Sequence, residues 1–264
     1  MKIIQLSDIH ISKKNLYGIS PNERFKKAIQ HVLDKHSDSD YLVISGDLTD
    51  TGDVDSYNEL KNILTSLPDH LSPHLLIGNH DERENFRTVF DSTKTDDNGY
   101  IQYVINSSVG DLIMLDTNLK GKHFGHFCDK RQKWLKEQLS SARELKKDAY
   151  VFMHHNFLEL DGFGLTDIDL VQKEEFREIL SIYRDTIKYV FFGHCHLNLS
   201  GIFSGIPFNA SNSTSHPSVP NFIKSGECAV SPEISPNYNV ITVNNDNITI
   251  NTENFLIKNF SWTT

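Results

Sequence analysis

The 264-residue sequence predicts an α/β fold, because short apolar runs alternate along it with longer segments of helical periodicity. The apolar runs are almost continuous, which is typical of strands that are buried on both faces of a sheet. The sequence contains no internal repeat, no long linker and no low-complexity tract. We therefore expect a single domain that spans residues 1–264.

Strands are predicted at seven apolar runs in the first 200 residues: KIIQL, YLVIS, HLLI, QYVI, LIML, YVFM and YVFF. Near the C-terminus, NVITV and NITIN flank NNDN, a pattern typical of a β-hairpin, so we expect strands over about 238–256. The stretch before them is rich in Ser, Asn and Pro and predicts a loop over about 204–238, close to the functional site.

Three segments have the apolar spacing of an amphipathic helix. The first is PNERFKKAIQHVLDKH, where Pro21 stands near the start, a position that favours proline. Its apolar residues share one face: Phe25, Ala28, Ile29, Val32 and Leu33. RQKWLKEQLSSA and EEFREILSIY have the same periodicity, and we interpret all three apolar stripes as core-facing.

Composition narrows the class of protein. Apolar residues make up 38% of the chain and charged residues 23%, which is ordinary for a soluble protein. The apolar runs are too short for a membrane span, and MKIIQLSDIH has only a short apolar run before Asp8, so we expect neither a membrane protein nor a signal peptide. Three cysteines do not suggest a disulfide framework and favour the cytoplasm. A net charge of −9 argues against nucleic-acid binding, although a small phosphate ester held by metal ions is compatible with it.

Five of the predicted strands end in the same kind of residue. They run into SDIH, GDLTD, GNHD, HH and GHCH, so each delivers Asp, Asn or His at its C-terminal end. Ligands bind at this edge of an open α/β sheet, so we expect these side chains to converge if the strands are neighbours. If the chain stays extended just after each strand, residues two apart point the same way. The side chains of Asp8 and His10 would then face one pocket together, and so would those of His194 and His196.

Carboxylate and imidazole groups together suit Mn, Fe, Co or Zn. Seven such groups are too many for one ion and enough for two ions that share a carboxylate: Asp8, His10, Asp47, Asn79, His154, His194 and His196. Sites with two metal ions recur in enzymes that hydrolyse phosphate esters. Each motif alone is explained better as a cap, a turn or a surface pair, but five of them after buried strands favour a two-metal centre.

SDIH, GDLTD, GNHDE, the HH after VFM, and GHCH resemble the five signature blocks of the calcineurin-like metallophosphoesterases, over roughly residues 1–215. LSDIH, ISGDLTDTG, GNHDERENF, LDTNLKG and ASNSTSH are most similar to the bacterial branch that holds class III cyclic nucleotide phosphodiesterases and glycerophosphodiesterases. UDP-diacylglucosamine hydrolases, a sister group, usually have Arg at the position of His80, which disfavours that assignment.

The resemblance implies a four-layer αββα sandwich, in which two mixed β-sheets are flanked by helices and two metal ions lie at one edge. It implies that Asp8, His10 and His196 hold the first ion, that Asp47 bridges, and that Asn79, His154 and His194 hold the second. It further implies that His80 and Asn79 are catalytic and that Asn79, His80 and His196 contact the substrate. The branch often has HHPP where this chain has HHNF, so we expect a different turn after His154 and a different fit of the substrate.

We therefore expect a dinuclear phosphodiesterase that uses Fe, Mn or Zn and hydrolyses a small phosphodiester, with 3′,5′-cyclic AMP as the first choice. A glycerophosphodiesterase or a phosphomonoesterase on the same ions is an open alternative, and a metal-free binding scaffold is the alternative of another class. No nucleic-acid or membrane partner is expected, and a homodimer is left open. The sequence does not decide whether four further histidines act in the site or are structural: His123, His126, His155 and His216.

Overall fold

Two mixed β-sheets carry the fold in the computed structural model, which describes residues 1–160, 167–221 and 228–257. In chain order the strands are β1 (Lys2–Leu6), β2 (Tyr41–Ser45), β3 (Pro73–Leu76), β4 (Tyr103–Asn106), β5 (Asp111–Met114), β6 (Ala149–Phe152), β7 (Ile187–Phe192), β8 (Leu199–Phe203), β9 (Ile206–Ala210), β10 (Ser218–Pro220), β11 (Cys228–Val230), β12 (Tyr238–Val243) and β13 (Ile248–Glu253). The helices are α1 (Pro21–His36), α2 (Val54–Leu64), α3 (Arg83–Val89), α4 (Asp129–Glu144) and α5 (Lys173–Ile182), with a short 3-10 helix at Asp69–Leu71.

The first sheet has the strand order β13-β12-β1-β2-β3, and the second has the order β4-β5-β6-β7-β9-β8. The strands β1, β2 and β3 are mutually parallel, as are β5, β6, β7 and β9, whereas β12 and β13 in the first sheet and β4 and β8 in the second pair antiparallel with their neighbours. The strands β10 and β11 pair only with each other. The predicted α/β class with two mixed sheets and flanking helices is confirmed.

The apolar character of the strands follows from burial on both faces. In the second sheet, Met114 and Phe152 face a core that is shared with the first sheet, whereas Ile113 and Val151 face the core under α4 and α5. Because neighbouring residues of a strand point to opposite faces, both must be apolar when both faces are covered. All nine predicted strands are present, with boundaries within two residues of the expected ones.

The three predicted helices correspond to α1, α4 and α5. The hydroxyl of Ser20 caps α1 by accepting from the amide of Glu23, and Pro21 is the first helical residue. The helices α2 and α3 were not predicted. The segment of α2 nevertheless buries Tyr57 and Leu60, at helical spacing.

The segment 204–238 contains more than the expected loop, because its described part includes β9, β10 and β11. In β9, the buried Ile206, Phe208 and Ala210 alternate with Pro207 and Asn209, which is the pattern of a strand. The predicted C-terminal hairpin is present as β12 and β13. No helix within the described residues is long and apolar enough to cross a lipid bilayer.

A buried polar ladder joins the two sheets. The amide nitrogen of Gln5 in β1 donates to Ser45 Oγ at 3.2 Å and to the carbonyl oxygen of Phe192 in β7 at 3.3 Å. The amide nitrogen of Asn239 in β12 donates to Gln5 Oε1 at 3.2 Å and to Asn209 Oδ1 in β9 at 2.7 Å. These bonds fix the position of the first sheet against the second, since a shift would leave buried amides unpaired.

Candidate metal centre

The C-terminal ends of β1, β2, β3, β6 and β7 meet at one edge of the two sheets, as the sequence predicts. The backbone amide of Asp8 donates to the carbonyl oxygen of Gly46 at 3.1 Å, which joins the exits of β1 and β2. The amide of His194 donates to Asp8 Oδ2 at 3.0 Å, which joins the exits of β7 and β1 across the two sheets. The amide of Gly193 donates to the carbonyl oxygen of His154 at 3.1 Å.

The backbone at these exits is left-handed. Among the described residues, nine non-glycine residues have a positive φ, and five of them are predicted ligands: Asp8, His10, Asp47, His194 and His196. The expectation that an extended backbone turns Asp8 with His10, and His194 with His196, into one pocket is wrong in its geometry. Asp8 and His10 do share one cluster, and His194 and His196 do line one pocket, but they do so through left-handed residues. A non-glycine residue held there costs about 1–3 kcal/mol, and such strain is concentrated at functional sites.

Two glycines allow the strand ends to approach this closely. A Cβ on Gly78 would overlap the carboxylate and backbone amide of Asp47. A Cβ on Gly46 would overlap the imidazole of His154. The exits of β2, β3 and β6 can therefore lie this close only because these positions lack a side chain.

The first cluster of candidate ligands comprises Asp8, His10, Asp47 and His196, each with one ligand atom within 4.8 Å of the others. Nε2 of His196 lies 3.3 Å from Asp8 Oδ1 and 3.2 Å from His10 Nε2. Nδ1–H of His196 donates to the carbonyl oxygen of His216 at 2.9 Å. That bond sets the tautomer and leaves Nε2 of His196 as a lone-pair donor toward the cluster.

The second cluster is centred on Nε2 of His154. This nitrogen lies 3.1 Å from Asn79 Oδ1, 3.2 Å from His194 Nδ1 and 3.4 Å from Asp47 Oδ1. The outer nitrogens are again tied to the backbone, since His154 Nδ1–H donates to the carbonyl oxygen of Ser45 at 2.9 Å and His194 Nε2–H to that of Ile168 at 2.8 Å. Both imidazoles therefore turn their other nitrogen inward, where its unprotonated form can bind a metal ion.

Asp47 lies between the clusters. Its Oδ1 belongs to the His154 side, and its Oδ2 lies 3.6 Å from His10 Nε2 on the other side. Burial by itself would raise the pKa of Asp47, but the neighbouring His154 and His80 outweigh it and hold the pKa well below its usual range. A buried, ionised carboxylate with one oxygen toward each cluster has the geometry of a bridging ligand.

The spacing within the clusters fits metal ions. Ligands about 2.0–2.2 Å from a tetrahedral ion lie about 3.3–3.6 Å from one another. The short contacts given above run from 3.1 Å between His154 Nε2 and Asn79 Oδ1 to 3.6 Å between His10 Nε2 and Asp47 Oδ2, and the ligand atoms of the first cluster all lie within 4.8 Å of one another. Facing imidazole nitrogens without a proton between them repel each other, whereas a shared cation would stabilise them.

His80 is adjacent to the clusters. Its amide donates to Asp47 Oδ1 at 2.9 Å, and its Nδ1–H donates to the carbonyl oxygen of Asp50 at 2.8 Å. Its Nε2 lies 4.0 Å from Asp47 Oδ2, and about a third of the side chain is exposed. Burial would lower the pKa of His80, but the charges of Asp47 and Asp50 raise it above its usual value. The ring is therefore a candidate hydrogen-bond donor beside the clusters.

The turn that carries Asn79 and His80 is held from inside by Asp81. Its carboxylate accepts hydrogen bonds at 2.9 Å from the amides of Gly78 and Leu48 and from the hydroxyl of Tyr57. Asp81 is almost fully buried, and burial raises its pKa to about 6. It joins the exits of β2 and β3, so the position of Asn79 is tied to that of Asp47.

Asn118 holds the same turn from the other side. Its amide nitrogen donates to the carbonyl oxygens of Gly78 at 2.6 Å and of Asp81 at 3.0 Å, which flank Asn79 and His80. We call this pair of bonds the Asn118 clamp. Asp116 supports it by accepting from the backbone amide of Asn118 at 2.9 Å. The role of Asn118 is not evident from the sequence, because only the fold brings the segment LDTN next to GNHD.

The clusters open into a pocket with a volume of about 500 Å³. Among its lining residues are His216, which the sequence left unassigned, and Asn15, Leu16 and Tyr17, which it missed. The ring of His216 lies 4.6 Å from that of His10. No motif marks the segment 15–17 as part of the site, since only the fold brings it to the pocket of the two clusters.

The other unassigned histidines differ in position. His123 lines the pocket and accepts a hydrogen bond at Nδ1 from the amide nitrogen of Asn79, at 3.3 Å. His155 is fully buried beneath the site, with Nδ1 2.7 Å from the hydroxyl of Thr117. His126 accepts from Arg131 at 3.1 Å.

Comparison with known proteins points in one direction. A sequence model described as calcineurin-like phosphoesterase matches residues 1–198. A probable cyclic nucleotide phosphodiesterase of Rhodopseudomonas palustris is 28% identical over 260 residues, which cover 97% of this chain and 93% of that protein. A glycerophosphodiester phosphodiesterase of Enterobacter lignolyticus is 29% identical over 74% of this chain and 71% of its own length. In fold, the chain is similar to a dimetal phosphatase from Danio rerio, with a TM-score of 0.72, 11% identity and coverage of 97% and 96%.

Proposed function

Because the chain belongs to the calcineurin-like phosphoesterase family, we propose that it is a dinuclear metal-dependent phosphodiesterase that hydrolyses a small phosphodiester, with a 3′,5′-cyclic nucleotide such as cyclic AMP as the first choice. Fe, Mn and Zn are the proposed ions, because the candidate ligands are imidazoles and oxygens.

The position of Asp47 carries the proposal. Its two carboxylate oxygens lie toward two different clusters, one around His154 and the other containing His10. We propose Asp47 as the bridging ligand. The first ion would be held by Asp8, His10 and His196, and the second by Asn79, His154 and His194.

Two ions so held would polarise the phosphate oxygens and lower the pKa of the attacking water. The chain's own residues would orient the ester. His80 presents Nε2 toward the pocket, where it can donate a hydrogen bond to the phosphate or a proton to the leaving oxygen. The side chain of Asn79, which also lines the pocket, would help to orient the phosphate.

The charge of the pocket favours a diester over a monoester. A monoester carries nearly two negative charges near neutral pH and a diester carries one. Among the described residues that line the pocket, none is Lys or Arg. The ions would therefore be the main cations available, and one charge is balanced more completely than two.

The experiment that tests the proposal is a comparison of kcat/KM for cyclic AMP, glycerophosphoethanolamine and AMP with Mn-loaded protein. We expect cyclic AMP to be the best of the three. An AMP value higher by tenfold, equivalent to about 1.4 kcal/mol in transition-state stabilisation, would exclude the diesterase assignment. If glycerophosphoethanolamine is best, the diesterase stands and its alcohol half is glycerol, in line with the name of the Enterobacter lignolyticus relative.

Metal analysis of the purified protein separates this enzyme from a metal-free scaffold. We expect two ions per chain, loss of hydrolysis of bis(p-nitrophenyl) phosphate on chelation, and recovery with Mn. A chain that binds no metal after incubation with Mn, Fe or Zn would support the scaffold instead.

A further inference from the structure

A strained tyrosine stands at the mouth of the pocket. Leu16 and Ile19 exchange two backbone hydrogen bonds, both 2.8 Å long, so Tyr17 and Gly18 form a two-residue turn between them. The φ angles are 51° at Tyr17 and 76° at Gly18, as in a type I′ turn. Asn, Asp or Gly normally occupies the first of these positions, because a bulky side chain is disfavoured in the left-handed region.

The other left-handed residues outside the clusters have local explanations. Ser204 and Gly205 form the same kind of turn between β8 and β9, with a small polar residue at the first position. Lys146 follows the C-terminal cap of α4, where a left-handed residue often ends a helix. Asp tolerates this region, which accounts for Asp167. Tyr17 has no such explanation.

The ring of Tyr17 is 64% exposed, so packing in the core does not explain the choice of a large aromatic residue. It lines the pocket and lies 5.2 Å from the ring of His216. His216 in turn lies 4.5 Å from the ring of His196 and 4.6 Å from that of His10. Only the ring of His216 therefore lies between Tyr17 and the first cluster. In a nucleotide, the ribose likewise lies between the base and the phosphate.

We propose that the ring of Tyr17 is a stacking platform for the aromatic base of a nucleotide whose phosphate lies at the metal clusters. This inference rests on the proposed function, because it assumes that the pocket holds a phosphate ester at those clusters. Aromatic side chains stack on any base through its π face, and an exposed ring at a pocket mouth is suited to this. Tyr17 would then select for a nucleoside and against glycerol as the alcohol half.

Two variants isolate the ring from the turn. Tyr17→Asn removes the ring and creates Asn-Gly, the pair that a type I′ turn favours, so the fold should be retained. Tyr17→Phe keeps the ring and removes the hydroxyl. A loss that follows Tyr17→Asn but not Tyr17→Phe can be assigned to stacking.

The probes are AMP and ribose 5-phosphate, which share the phosphate and the sugar and differ in the base. Their dissociation constants are measured by isothermal titration calorimetry on Mn-loaded protein. We expect the wild type and Tyr17→Phe to bind AMP about tenfold more tightly than ribose 5-phosphate, and Tyr17→Asn to lose that preference. A preference for AMP that persists in Tyr17→Asn, or that is absent from the wild type, would overturn the proposal. Loss of the preference in Tyr17→Phe would replace stacking by a role of the hydroxyl.

The binding measurements test the role of Tyr17, and the turnover measurements test the proposed function, so either proposal can be refuted without the other. If cyclic AMP is not hydrolysed but the AMP preference depends on the Tyr17 ring, the platform stands and the proposed substrate does not. If cyclic AMP is hydrolysed and the preference is unchanged in Tyr17→Asn, the proposed function stands and the platform does not.

Discussion

Replacing Asn118 by Ala should slow the enzyme without removing its ions. Asn118 is 2% exposed, and its side chain makes the two bonds of the clamp, to the carbonyl oxygens of Gly78 and Asp81. Asn118→Ala leaves both carbonyl groups without these partners. The turn with Asn79 and His80 would then be held by Asp81 from one side only.

The magnitude follows from the two bonds. A buried hydrogen bond contributes about 0.5–1.5 kcal/mol. With the cavity that the shorter side chain leaves behind, we expect Asn118→Ala to lower the free energy of unfolding by about 2–3 kcal/mol. For a chain of this size that corresponds to a fall in Tm of about 4–12 °C. Groups that orient ligands and catalytic side chains typically affect activity by about 10- to 100-fold, and we expect kcat to fall within that range.

The assay combines kcat for bis(p-nitrophenyl) phosphate at saturating Mn, metal content and Tm. Gln102→Ala is the control, since Gln102 is fully buried and its side-chain amide donates to Asp96 Oδ2 at 2.9 Å, a hydrogen bond that involves neither the turn nor the polar ladder between the sheets. It should lower Tm and leave kcat within about twofold, which is a small change on this scale. If Asn118→Ala keeps its kcat, or if Gln102→Ala loses as much, the clamp contributes stability alone and the reasoning is wrong.

Three further substitutions address the clusters directly. Asp47→Asn should lose at least one ion, because the proposed bridging carboxylate is gone; two ions and full activity would disprove the bridge. His80→Ala should keep both ions and lose about 10²- to 10⁴-fold in rate, more for an alkoxide leaving group than for nitrophenolate if His80 donates a proton, as measured with paired diesters. Gly193→Ala places a Cβ against Ser7 and the carboxylate of Asp8, so the first ion should bind more weakly in a metal titration, and unchanged affinity would contradict that crowding.

The sequence predicted the strands and their polar exits because both depend on local pattern. A strand buried on two faces must be apolar, and the metal ligands expected here are Asp, Asn or His. Each of these requirements can be recognised within one short segment of the sequence. The helix α2 could have been found from the spacing of Tyr57, Leu60 and Ile63. The helix α3 has seven residues, which is too short for periodicity to distinguish it from a turn.

The remaining features depend on contacts between distant segments. Asn118 lies about 40 residues from Gly78, and nothing near either residue indicates their hydrogen bond. The left-handed φ at Asp8 and His10 is imposed by bonds to the exit of β2, from Asp8 to Gly46 and from His10 to Asp47, whereas local propensity suggested an extended chain. No motif marks Tyr17, since Tyr-Gly is not a preferred turn pair, and only its left-handed conformation in the structure makes it unusual.

The proposed centre takes ligands from both sheets. Asp8 and His10 follow a strand of the first sheet, whereas His196, in the same cluster, follows β7 of the second. An ion that binds only when the sheets are docked shifts the docking equilibrium by mass action, by about 2.7 kcal/mol when its free concentration is 100 times the dissociation constant. The free metal concentration around the protein would then set how firmly its two halves stay together, and metal starvation would threaten the folded chain itself as well as its turnover.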